Sequence, residues 1–119
     1  MKTPVSPPLT IQVFVKPLTH ISFPTGWGNG YVCLPPGHPC YGMDYDDIHD
    51  KYPIDVHGGL TFAASAAEAP STWPVPDGCE DSWIVGFDTA HGGDDLTDWP
   101  EIAVLEHTVE LAKQFENIK

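Results

Sequence analysis

The segment that starts at Asp98 constrains this chain more than any other, because it carries the longest regular periodicity in it. Val104, Leu105, Thr108, Leu111, Ala112 and Phe115 recur at helical spacing on one side, with Glu106, Glu110, Lys113 and Asn117 on the other. Asp98 followed by Glu101 has the spacing of a capping box, and Pro100 is tolerated in a first turn. This pattern predicts an amphipathic helix of about 18 residues. Such a helix must bury its apolar face, and upstream the sequence offers short extended runs to receive it. The expected fold is therefore α+β: a small, mostly antiparallel sheet with one long C-terminal amphipathic helix packed on one face.

Leu9, Ile11, Val13 and Val15 alternate with Thr10, Gln12, Phe14 and Lys16, a period of two that Pro17 stops. Further extended pieces are expected at His20–Phe23, Tyr31–Leu34, Ile54–Val56 and Leu60–Ala63. Trp83–Phe87 is a continuous apolar run of strand length and reads as a central strand covered on both faces. Pro35-Pro36-Gly37-His38-Pro39 excludes regular structure, and Asp44–Lys51 predicts one or two helical turns. Residues 1–119 read as a single domain, with 1–8 a flexible N-terminus and 63–78, rich in Ala, Pro and Ser, a mobile loop.

Charge narrows the function classes. Seventeen acids face five bases, all of them lysines, for a net charge of −12. A nucleic-acid surface needs clustered Lys and Arg, which excludes nucleic acid as a partner, and anionic membranes are disfavoured for the same reason, so no membrane partner is expected. No apolar run reaches the ~20 residues of a membrane span, and Thr10 and Gln12 interrupt what a signal peptide would keep continuous. The chain reads as unprocessed and cytoplasmic. The odd count of cysteines, Cys33, Cys40 and Cys79, precludes a complete internal disulfide framework, with a Cys33–Cys40 bridge the alternative in an oxidising compartment.

Two segments concentrate the side chains that do chemistry. One runs from Gly37 through Asp47 and continues to Asp55-Val56-His57-Gly58-Gly59; the other is Gly86-Phe87-Asp88-Thr89-Ala90-His91-Gly92-Gly93-Asp94-Asp95. In both, His and Asp stand beside paired glycines, where the backbone can bend sharply or approach a ligand. The expectation is that the two segments meet at one sheet edge and line a common pocket. Candidate ligand contacts are His38, Tyr41, Tyr45, Asp47, His57, Gly58, Gly59, Asp88 and His91. Candidate catalytic residues are His57, Asp88 and His91, acting as general acid and base. His57, Asp88, His91 and Asp94 form a candidate metal set of imidazoles and carboxylates, suited to Zn, Mn or Fe(II), so a divalent metal is the candidate cofactor. The competing reading takes Asp and Gly as turn markers and the histidines as ordinary hydrogen-bonding residues.

Other patterns carry less. Cys33, His38, Cys40 and Cys79 match no common zinc spacing. A Cys40 nucleophile is opposed by acids such as Asp44, which raise a thiol pKa. Gly26-x-Gly28-x-Gly30 leads into a strand rather than a helix, which rejects a dinucleotide fingerprint; its amides could still face a ligand, with Trp27, Tyr31 or Tyr41 as a stacking face. Trp73 and Trp99, beside prolines, read as loop anchors, and Asp44, Asp46, Asp47 and Asp50 as a solvated face.

The strings Gly30-Tyr31-Val32, Pro36-Gly37-His38-Pro39-Cys40-Tyr41-Gly42, Tyr45-Asp46-Asp47, Val56-His57-Gly58-Gly59-Leu60-Thr61-Phe62 and Gly86-Phe87-Asp88-Thr89-Ala90-His91 resemble a family of small proteins of unassigned activity carried by phages and prophages. The resemblance spans roughly residues 27–95. It implies a cytosolic accessory protein inside a bacterial host; such proteins often counter host defences, some by binding nucleotide signals. Three functions follow as expectations: a module binding a small polar, nucleotide-derived molecule; a small hydrolase using His57, Asp88 and His91, with or without a metal; and an acidic inhibitor of a host protein. A homodimer that completes the pocket accompanies the first.

Overall fold

A computed structural model describes residues 11–19 and 23–118. Its elements are β1 (Gln12–Pro17), β2 (Gly28–Leu34), α1 (Tyr45–Lys51), β3 (Phe62–Ser65), β4 (Trp83–Phe87) and α2 (Glu101–Glu116), with a 3₁₀ turn at Ala66–Glu68. The strands form one antiparallel sheet in the order β1-β2-β4-β3. The fold is α+β, with α2 packed across β1 and β2. No helix among the described residues is long and apolar enough to cross a membrane.

The pleat sends alternate side chains into two cores. On the α2 side, Val32, Leu34, Val85 and Phe87 meet Val104, Leu111, Ala112 and Phe115, and Cys40, Ile48, Val56 and Leu60 close the edges. On the other side Phe14, Tyr31, Cys33 and Ile84 lie under Cys79, Trp73 and Val75. The Trp73 ring sits 5.0 Å from Tyr31 and 5.3 Å from Phe62, so the segment expected as a mobile loop roofs a core. Its first residues, 63–65, are strand and 66–68 the 3₁₀ turn.

Gly28 and Gly30 lie inside β2 rather than in a loop. At Gly30 a Cβ would overlap the Thr108 hydroxyl and the Phe87 ring, so the missing side chain lets α2 approach the sheet. The amides of Gly26 and Trp27 donate to the Thr89 and Trp99 carbonyls at 2.8 Å. The expected presentation of loop amides to a ligand is overturned, because these groups already tie chain to chain.

Three further expectations shift. Helix α2 has 16 residues and starts after Pro100, whose extended ψ of 170° leaves Asp98 outside the first turn, so no capping box forms. Leu105 turns to solvent, beside the stripe rather than within it. Ile54–Val56 is not a strand: Asp55 N–H donates to Gln114 Oε1, and Gln114 Nε2 donates to the Asp55 carbonyl, both at 2.7 Å. A side-chain amide of α2 thus replaces a strand neighbour. The expected strand Leu60–Ala63 forms two residues later, as β3. Leu9 and Thr10, most of the piece His20–Phe23, and the N-terminal residues 1–8 lie outside the described residues.

Candidate functional site

Beyond β4 the chain makes a compact polar turn. Asp88 Oδ1 accepts the Ala90 N–H at 2.9 Å, and buried Thr89 donates from Oγ1 to the Gly28 carbonyl at 2.7 Å, fixing the turn to β2. His91, Gly92, Gly93 and Asp94 form the next turn, closed by Asp94 N–H to the His91 carbonyl at 3.0 Å, with Gly93 at φ 93°. The matching turn at Val56–Gly59 is closed by Gly59 N–H to the Val56 carbonyl at 2.9 Å. Helix α2 holds that turn through His107, whose Nε2 accepts the His57 N–H at 2.9 Å.

The two turns face one another. His57 Nε2 lies 2.9 Å from Asp94 Oδ1, and His91 Nδ1 lies 3.2 Å from Asp94 Oδ2. Asp94 Oδ2 also accepts the His91 N–H at 2.9 Å. One donor atom from each of His57, His91 and Asp94 falls within 4.8 Å of the others. Asp94 is 6 % exposed, against 27 % for His57 and 36 % for His91, so a buried carboxylate supports two rings that reach the surface. The Trp99 ring lies against His57 with centroids 4.4 Å apart.

Burial pushes the Asp94 pKa up, but the hydrogen bonds from the His57 ring and the His91 N–H outweigh it, and the carboxyl titrates below its usual range. His107 is pushed down, first by burial and then by the neighbouring His57. Its Nε2 is an acceptor in this arrangement, so its proton sits on Nδ1.

The remaining sequence candidates fall in three groups. Asp88 flanks the cluster, with Oδ1 3.5 Å from His91 Nδ1, but stands outside the three-donor set. Gly58, at φ 69°, lies against the His91 ring, and Gly59 lies beside His49. His38, Tyr41 and Tyr45 are engaged elsewhere, and Asp47 does not join the set. His38 joins the Phe115 carbonyl to the Cys40 N–H, Tyr41 donates to the Asp81 carbonyl, Tyr45 packs on the core, and Asp47 is exposed in the first turn of α1.

Among the described residues, neither the hollow lined by Pro17, Trp27 and Asp95 nor the one lined by Tyr52, Ile54 and Ile118 includes His57, His91 or Asp94. The two segments expected to meet do so at a cluster apart from these hollows, with Asp94 buried and both rings reaching the surface. Cys33 and Cys79 lie in one core and Cys40 in the other, and all three are free, so neither a Cys33–Cys40 bridge nor the cysteine metal set assembles. His107 belongs to no motif in the sequence; its one signal is its place three residues after Val104 and four before Leu111, on the edge of the apolar stripe.

Comparison of the chain with protein-family models, with curated proteins and with solved structures finds no match.

Proposed function

We propose that this protein is a small binding module that captures a divalent transition-metal ion at His57, His91 and Asp94. The observation that carries the reading is the convergence of these three donors within 4.8 Å. Two imidazoles and a carboxylate suit Zn, Mn or Fe(II). The ring nitrogens of His57 and His91 that face Asp94 are the donors an ion would take, and an imidazole ligates a metal in its neutral form. A net charge of −12 favours a cation and opposes a bare, multiply charged nucleotide. The proposal keeps the cytoplasmic, phage-type setting that the motifs imply, with a small polar molecule as partner.

Hydrolysis by His57, Asp88 and His91 is the second reading. The His57–Asp94 contact at 2.9 Å favours it, because a buried carboxylate that orients an imidazole is the arrangement of a general base. The acidic-inhibitor reading rests on net charge alone.

The test is thermal unfolding of chelator-treated protein with Zn²⁺ or Mn²⁺ added. At a hundredfold excess over Kd, capture contributes about 2.7 kcal/mol and raises Tm by roughly 10 °C. His57→Ala and His91→Ala each abolish the rise. An equal Tm with and without metal overturns the proposal.

A further inference from the structure

Resting on the metal-capture reading, we infer that the protein leaves the captured ion with an exchangeable coordination position, which takes a small monoanionic oxygen ligand such as a carboxylate.

Donor count is the first argument. Structural zinc sites are closed by four protein ligands, whereas sites that bind a guest keep three and leave one position open. Among the described residues no His, Cys, Asp or Glu beyond His57, His91 and Asp94 joins the set. His107 Nε2 holds the His57 N–H at 2.9 Å, and Asp88, whose Oδ1 accepts the Ala90 N–H at 2.9 Å and lies 3.5 Å from His91 Nδ1, stands outside the set.

Access is the second. The two rings are 27 % and 36 % exposed. Between His91 and Asp94 stand Gly92 and Gly93, where an added Cβ would meet nothing within 4 Å, so no side chain roofs that turn. The buried carboxylate and the Trp99 ring close the inner side, and the outer side is left to solvent.

Charge selects the guest. A divalent ion held by two neutral imidazoles and one carboxylate keeps one net positive charge, the reverse of its surroundings in a chain of −12. One negative charge neutralises it, while further charges meet the acidic surface. Exchange is a simple substitution: a metal–water bond breaks, a metal–carboxylate bond forms, and water leaves.

The experiment loads the protein with Co²⁺ and follows its visible absorption while acetate or formate is added. A saturable shift of the bands in wild type, retained in Asp88→Ala, is the expected result. Co²⁺ bands that ignore both anions overturn this inference and leave metal capture standing. Bands that respond in Asp88→Ala but not in wild type also overturn it, because Asp88 then closes the site. Absence of protein-bound Co²⁺ bands in wild type overturns the metal-capture reading itself, and the inference with it.

Discussion

The rings of His57 and His91 meet edge to face, their planes 88° apart and their centroids separated by 5.2 Å. One carboxylate holds both, Asp94 Oδ1 facing His57 and Oδ2 facing His91. Neither ring is placed by its own segment alone. His57 is set by a turn that α2 grips from below, and His91 by a turn that Thr89 fastens to β2. The pair therefore reports on the tertiary fold, and changes that move either turn are read at the site.

Gly58 is the sharpest such change. Its φ of 69° disfavours any side chain, and a Cβ there would overlap the His91 ring. Gly58→Ala is expected to cost about 1–2 kcal/mol from backbone conformation alone. It should also displace His91 and weaken Zn²⁺ affinity well beyond the loss in stability. Calorimetric titration beside thermal unfolding separates the two; unchanged Zn²⁺ affinity would show that His91 does not depend on this turn.

Asp94 governs the acid limb of stability. Its folded pKa lies below its unfolded value, so its contribution is complete above the unfolded value of about 3.9 and is lost as pH falls through the lower folded one. Asp94→Asn should lower stability at neutral pH by roughly 1.5–3 kcal/mol, the worth of hydrogen bonds to a charged group, and flatten the decline below pH 4. Urea unfolding between neutral pH and pH 3 measures both.

His107 acts at milder pH. Its folded pKa is also depressed, so the unfolded chain takes up the proton first, and stability begins to fall as pH drops below about 6.5. His107→Gln keeps an acceptor for the His57 N–H without titrating, and should remove this part of the pH dependence. His107→Leu leaves that part-buried N–H unpaired and should cost about 1–3 kcal/mol at every pH. Parallel pH–stability curves for wild type and His107→Gln would refute the assignment.

Much of this arrangement was legible where a segment's own pattern decides its structure. The α2 stripe and the apolar run Trp83–Phe87 announce a helix and a central strand, and both form. Reading failed where the deciding partner is remote in sequence. Gly28 and Gly30 look like loop residues until Thr108 and Phe87 crowd the second of them. Ile54–Val56 looks like a strand until Gln114 supplies the hydrogen bonds. At the site, His57, His91 and Asp94 stood out by composition, yet their convergence depends on His107 and Thr89, which carry no local mark of that role.

The cysteines give a test of the two-core architecture itself. The sheet separates Cys40, in the α2-side core, from Cys33 and Cys79 beneath Trp73. All three thiols are buried, and burial pushes the Cys33 and Cys40 pKa values up, with Lys51 pulling the other way at Cys40. Thiolate formation is thus suppressed along with access. An opening that costs about 3 kcal/mol slows labelling at least ~100-fold relative to the denatured chain. Iodoacetamide followed by mass spectrometry at pH 8 should leave the native protein unmodified while the chain in urea gains three adducts. Partial opening of the Trp73 roof predicts Cys79 and Cys33 labelled before Cys40, because those two share one core. Prompt labelling of Cys40 alone would instead show that the segment His38 fastens to the Phe115 carbonyl lifts first.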